Sequence, residues 1–127
     1  MEAKKILVVD DNALSLELAG DLLRLEGYIV FEAASASEAL DIAKSIRLDL
    51  ILMDISMPGM DGLTATRALK SDPATAHIPV IALTAHAMQG DEKKGYAAGC
   101  DAYVTKPIDT LQLAKIVASV LQNASVA

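Results

Sequence analysis

Leu50-Ile51-Leu52-Met53-Asp54-Ile55-Ser56-Met57-Pro58-Gly59-Met60-Asp61-Gly62 decides the fold, because an unbroken apolar run leads straight into a carboxylate and a Pro-Gly loop. A strand that is apolar without alternation belongs to a sheet covered on both faces. Such a strand has no place for an unpaired charge in its interior, so Asp54 belongs at its rim.

Working outward, the apolar period switches repeatedly between short continuous runs and helical spacing, the pattern of strands alternating with helices around a parallel sheet. Ile6 to Val9, Tyr28 to Ala33, Leu50 to Met53, Val80 to Leu83 and Tyr103 to Thr105 read as strands. Between them, Leu14, Leu18, Leu22 and Leu25 fall on one helical face that Gly27 closes. Ser35 with Glu38 forms a capping-box signature before a helix carrying Leu40, Ile42, Ala43 and Ile46. A third helix runs from about Gly62 to Lys70 and stops at Asp72-Pro73. The helix over 88–99 is weakened by Gly90 and Gly95. Asp109 caps a final helix with Leu113, Ile116, Val117 and Val120 as its apolar stripe.

A length of 127 residues with 53% apolar content suits one domain, residues 1–127, with a packed core. A net charge of -6 repels a phosphate backbone, and one Phe, three Tyr and no Trp leave few faces for base stacking, which excludes direct nucleic-acid binding. Cys100 is the single cysteine, so no intrachain disulfide forms and a reducing compartment fits. No apolar run reaches the length of a signal peptide or a membrane span, so the expectation is a soluble cytoplasmic protein without membrane insertion.

In open parallel sheets, ligands bind beyond the carboxyl ends of the strands. Those ends carry Asp10-Asp11-Asn12, Asp54, Thr84 and Thr105-Lys106-Pro107. If the first and third strands are neighbours, three carboxylates converge, and each close pair repels by roughly 4 kcal/mol at an effective dielectric near 20. A cluster of that kind calls for a cation. An all-oxygen donor set selects a hard ion such as Mg²⁺ over zinc or copper. Lys106 adds positive charge and Thr84 a hydroxyl donor, which together suit a phosphoryl group.

Val8-Val9-Asp10-Asp11-Asn12, Leu52-Met53-Asp54-Ile55-Ser56-Met57-Pro58-Gly59-Met60-Asp61-Gly62, Ala82-Leu83-Thr84-Ala85 and Tyr103-Val104-Thr105-Lys106-Pro107 resemble the response-regulator receiver domains of two-component signalling. The resemblance runs from about Lys4 to Gln122. It implies a three-layer, flavodoxin-like (βα)5 fold with a five-stranded parallel sheet in the order 2-1-3-4-5. It also implies that Asp54 accepts a phosphoryl group from a phosphohistidine. Asp11 would bind Mg²⁺ directly, Asp10 largely through water, and Ser56 through its backbone carbonyl. Lys106 would neutralise phosphoryl charge. Thr84 and Tyr103 would form a switch read out on the face of the fourth predicted helix, the fifth strand and the final helix. Lys106-Pro107 resembles the family's cis peptide. The implied partners are a sensor histidine kinase or histidine phosphotransfer protein and a downstream protein target.

Taken one at a time, these residues have plainer readings. Asp11 and Asn12 suit a helix cap, Asp54 a turn, Thr84 a satisfied hydroxyl, Lys106 a solvated charge, and Asp61 a cap rather than a site residue. Their co-location favours the site. His86 follows Ala85 beside the site, where its side chain could affect phosphoryl lifetime, while His77 reads as a loop residue and Cys100 as buried filler. A phosphohydrolase of the haloacid dehalogenase type is the main rival. It resembles Asp-x-Asp after its first strand, whereas this chain has adjacent Asp10-Asp11 and its best nucleophile after the third. A flavin binder would need a hydroxyl- and glycine-rich phosphate loop that is missing after the first strand, and the intact Asp, Thr and Lys set argues against a degenerate interaction module. Met1 favours a stand-alone regulator over a piece excised from a hybrid kinase.

Overall fold

The computed structural model describes residues 3–55, 62–84, 99–105 and 108–126, with side chains through 122. Strands β1 (Lys5–Val9), β2 (Ile29–Ala33), β3 (Leu50–Asp54), β4 (Val80–Thr84) and β5 (Ala102–Thr105) pair in parallel in the order β2-β1-β3-β4-β5. The described helices are α1 (Ala13–Leu25), α2 (Ala36–Ser45), α3 (Gly62–Ser71) and α4 (Thr110–Val126). This is the flavodoxin-like layout expected. The helix expected over 88–99 lies outside the described residues except at Gly99, as do Ser56, the Met57-Pro58-Gly59 loop, Asp61, Ala85, His86, Lys106 and Pro107.

Side chains of a strand alternate between faces, and the core divides accordingly. Leu7, Val9, Ile51, Met53, Val80 and Ala82 pack against α2 and α3, whose Ala36, Ala39, Ala43 and Ala65 allow close approach. On the other face, Ile6, Val8, Leu50, Leu52, Ile81 and Leu83 meet Ala19 and Leu23 of α1 and Leu113 and Val117 of α4. β3 and β4 are buried along their whole length. Burying one such aliphatic side chain contributes roughly 1.5–3 kcal/mol, so these central strands anchor the domain.

The helix ends are set locally. Asn12 caps α1, and Gly27 closes it with φ of +95° while its N–H donates to the carbonyl of Arg24. A side chain at Gly27 would meet nothing, so only the left-handed backbone calls for glycine there. Ser35 caps α2 as expected, accepting from Glu38 N at 3.2 Å. The Glu38 carboxylate returns to Ala34 N rather than to Ser35 N. At the start of α4, Asp109 accepts from Gln112 N at 3.1 Å, the expected cap.

α1 departs from the expected face. Of the expected stripe Leu22 is half-buried against the core, but Leu14 and Leu25 are 77% and 85% exposed and Leu18 is 44% exposed, while Ala19, Gly20 and Leu23 are buried. The helix carries two apolar stripes, and the one with small residues packs closer to the sheet.

Two aspartates tie the amino edge of the sheet. Asp49, just before β3, accepts from Lys5 N at 2.8 Å and donates its own N–H to the Lys5 carbonyl at 2.8 Å. Asp101, just before β5, does the same with Val80 at 2.8 and 2.7 Å. Lys70 Nζ, from the end of α3, reaches the Ile78 carbonyl at 2.7 Å and Asp101 at 3.3 Å. Replacing Asp101 with alanine strips the buried Val80 N–H of its acceptor and should lower stability by about 1–2 kcal/mol in urea unfolding, with Asp101→Asn recovering most of the loss. Equal midpoints for Asp101→Ala and wild type would refute this clasp.

Cys100 is buried, as expected of a filler, with Sγ 4.0 Å from Thr66 Oγ1. Burial pushes its thiol above the ordinary value, a hydrogen bond with Thr66 works against that, and the Asp101 charge adds to it. The raised folded value means that this contribution to stability is present below the unfolded pKa and lost as pH rises through the folded one. Alkylation at pH 8 should therefore be at least about tenfold slower in the native protein than in urea, measured as the rate of mass increase.

Candidate functional site

Strand register brings the polar ends together. Val9 pairs with Met53, so Asp10 stands level with Asp54 on the neighbouring strand, and Asp54 pairs with Leu83, one residue before Thr84. Thr84 in turn pairs with Thr105 at the end of β5. Asp10, Asp54 and Thr84 are essentially fully buried. Asp54 is the last residue of β3 itself, and the Ile55 N–H continues the ladder to the Leu83 carbonyl at 2.9 Å, which fixes the backbone on both sides of the carboxylate.

The turn after β1 distributes its polar residues among distinct tasks. Asp10 N donates to the Ala33 carbonyl at 3.1 Å, and Asp10 Oδ1 accepts from Asn12 N at 2.9 Å. Asn12 then accepts from Ser15 N at 3.1 Å. Asn12, not Asp11, is the helix cap, which leaves the exposed Asp11 carboxylate to the cluster. One oxygen from each of Asp10, Asp11 and Asp54 lies within 4.8 Å of the others.

Three carboxylates at this separation repel strongly, since two of them are buried and poorly screened by water. The donor set is all oxygen, as a hard divalent cation requires. The residues present fit Mg²⁺.

The remaining sequence-derived positions divide clearly. Thr84 stands at the same edge, one strand beyond Asp54. Tyr103 is half-buried on β5, level with Ala82, and packs against the core on the α2 and α3 side. Ser56 and Lys106 lie outside the described residues. Gly62 was missed as anything beyond a helix start. Its Cα lies so close to the Asp54 backbone that a Cβ would collide with the Asp54 carbonyl oxygen. The signal available was a weak helix former opening a helix a few residues after Asp54 in the sequence.

Among the described residues, no helix is long and apolar enough to cross a membrane. The family model for the response regulator receiver domain matches residues 6–118. The polar-differentiation response regulator DivK of Brucella anthropi is 44% identical over 121 residues, which cover 95% of this chain and 98% of that protein. A CheY-like receiver domain protein from Methanospirillum hungatei superposes with a TM-score of 0.90 at 29% identity, over 98% of both chains. The receiver domain of the sensor histidine kinase PA1611 from Pseudomonas aeruginosa, with a magnesium ion in its active-site cleft, gives a TM-score of 0.86 at 35% identity over 99% of this chain and all of that one. With its sheet order, its acidic edge and these likenesses agreeing, the chain belongs to the response regulator receiver domains, the phosphoacceptor modules of two-component signalling.

Proposed function

We propose that Asp54 is the phosphoacceptor, and that the chain acts as one receiver domain switched by an aspartyl phosphate. The observation that carries this is the convergence of Asp10, Asp11 and Asp54 within 4.8 Å, with Asp54 locked at the end of a central strand. An Asp54 oxygen attacks phosphorus in line, the bond from phosphorus to the donor's histidine nitrogen breaks, and its electron pair leaves on the imidazole. Asp10, Asp11 and Asp54, with the Ser56 backbone carbonyl, would hold Mg²⁺, and Lys106 would face the phosphoryl oxygens. When bound, Mg²⁺ supplies positive charge where negative charge accumulates.

The buried hydroxyl at position 84 stands one strand beyond Asp54, which supports its role as donor to a new phosphoryl oxygen. Movement of Thr84 would open space for Tyr103 to turn inward. The protein is on this proposal a signalling module that assists its own phosphorylation, rather than an enzyme with a separate substrate. Its partners are a sensor histidine kinase or histidine phosphotransfer protein and a downstream protein target, met in the cytoplasm.

Metal binding has a thermal signature. Mg²⁺ at one hundred times its Kd should stabilise the fold by about 2.7 kcal/mol, a rise of several degrees in Tm. Asp11→Asn should lose most of that rise yet melt no lower than wild type in EDTA, because one of three mutually repelling carboxylates is gone. A Tm indifferent to millimolar Mg²⁺ would remove the metal assignment.

The phosphoacceptor assignment is tested by intact mass after incubation with acetyl phosphate and Mg²⁺. One phosphoryl adduct is expected, absent with Asp54→Ala and absent with chelator. An adduct that persists in Asp54→Ala would transfer the assignment elsewhere.

A further inference from the structure

Gly62 and Thr66 are buried at the start of α3, directly behind the phosphoacceptor strand. Gly62 does not take up a positive φ, since the described glycines that do are Gly27 and Gly99. Backbone conformation therefore does not require glycine at position 62, and alanine would be the better helix former. Space is what requires it. A Cβ there would collide with the Asp54 carbonyl oxygen and stand 2.7 Å from Ile55 Cα and 2.8 Å from the Asp54 carbonyl carbon. These are backbone atoms, which cannot rotate away as a flexible side chain would. They are also held from the far side, where Asp54 pairs with Leu83 and Ile55 N donates to the Leu83 carbonyl.

Thr66 fixes the same turn from within. It is fully buried, and its Oγ1 donates to the Gly62 carbonyl at 2.7 Å. Cys100 Sγ approaches that Oγ1 at 4.0 Å, so the turn is also connected to the chain entering β5. Ala65, in the same turn, is buried in the core shared with Met53 and Ala82. The first turn of α3 is thus pressed against the end of β3, with no layer of side chain between them at Gly62.

We propose that Gly62 and Thr66 are positioning residues for phosphoryl transfer: the bare Cα of Gly62, held by the Thr66 hydroxyl, acts as a stop that sets where the Asp54 carboxylate stands at the sheet edge. The assignment rests on Asp54 being the phosphoacceptor. A methyl group at position 62 forces α3 and the Asp54 backbone apart by roughly an ångström, and misplacement on that scale costs on the order of 10²-fold in rate.

The test compares the rate constant for phosphorylation by acetyl phosphate at saturating Mg²⁺ with urea stability, for wild type, Gly62→Ala, Thr66→Val, Thr66→Ser and Leu69→Ala. Leu69 is buried at the other end of α3 and away from Asp54, so its truncation destabilises the helix's packing without touching the stop. Gly62→Ala should react about 10- to 100-fold more slowly than wild type, and Thr66→Val several-fold more slowly. Thr66→Ser, which keeps the hydroxyl, should recover most of the Thr66→Val loss, and Leu69→Ala should stay within about twofold of wild type where it is folded. A folded Gly62→Ala that reacts at the wild-type rate would overturn the assignment, as would rates that follow stability across the whole set. Should Gly62→Ala not fold, the Thr66 pair decides: equal rates for valine and serine overturn the proposal, and serine rescue supports it. An inert wild type would remove the phosphoacceptor reading itself, and this assignment with it.

Discussion

Repulsion among carboxylates that the backbone will not let separate governs this molecule. Asp10 and Asp54 stand level at the ends of β1 and β3, which are paired through Val9 and Met53, and Asp11 follows within the same turn. Relief by moving apart would break ladder hydrogen bonds in the centre of the sheet. Positive charge brought to this edge is therefore worth more there than elsewhere on the domain. Hydrophobic burial on both faces of β3 provides the stability that makes this tolerable.

The sheet was legible in the sequence because buried parallel strands leave a local record, an unbroken apolar run such as Leu50 to Met53. Strand order left no such record, and the order 2-1-3-4-5 came from the family resemblance before the register displayed it. Asp54 was legible by position, as the first polar group after the run. The face of α1 was not, since Leu14, Leu18, Leu22 and Leu25 make as good a helical stripe as Ala19 and Leu23. What decided between them was how closely the helix approaches the sheet. Periodicity describes a helix's own geometry and carries no distance to its neighbour.

The same limit explains the site. That Asn12 rather than Asp11 caps α1 depends on a turn whose geometry Asp10 sets through its own side chain. Gly62 looked like a helix start because its requirement is for room, and room is a property of what α3 packs against. A receiver domain can thus be identified from the residues that touch its phosphoryl group. The elements that hold those residues in place become visible only when the chain is folded.

The two edges of the sheet use aspartate in opposite ways. At the carboxyl edge Asp10, Asp11 and Asp54 are gathered so that their charges conflict. At the amino edge Asp49 and Asp101 each close a reciprocal pair of hydrogen bonds with the first residue of an adjacent strand, to Lys5 and to Val80. The sheet is thereby sewn at one end and gathers its charge at the other, like a fan gripped at its pivot. Amide exchange should consequently be graded along each strand rather than uniform, with slow positions near Lys5 and Val80 and faster ones toward Val9 and Thr84. Rearrangement at the charged end can then take place while the gripped end stays closed, without passing through an unfolded sheet.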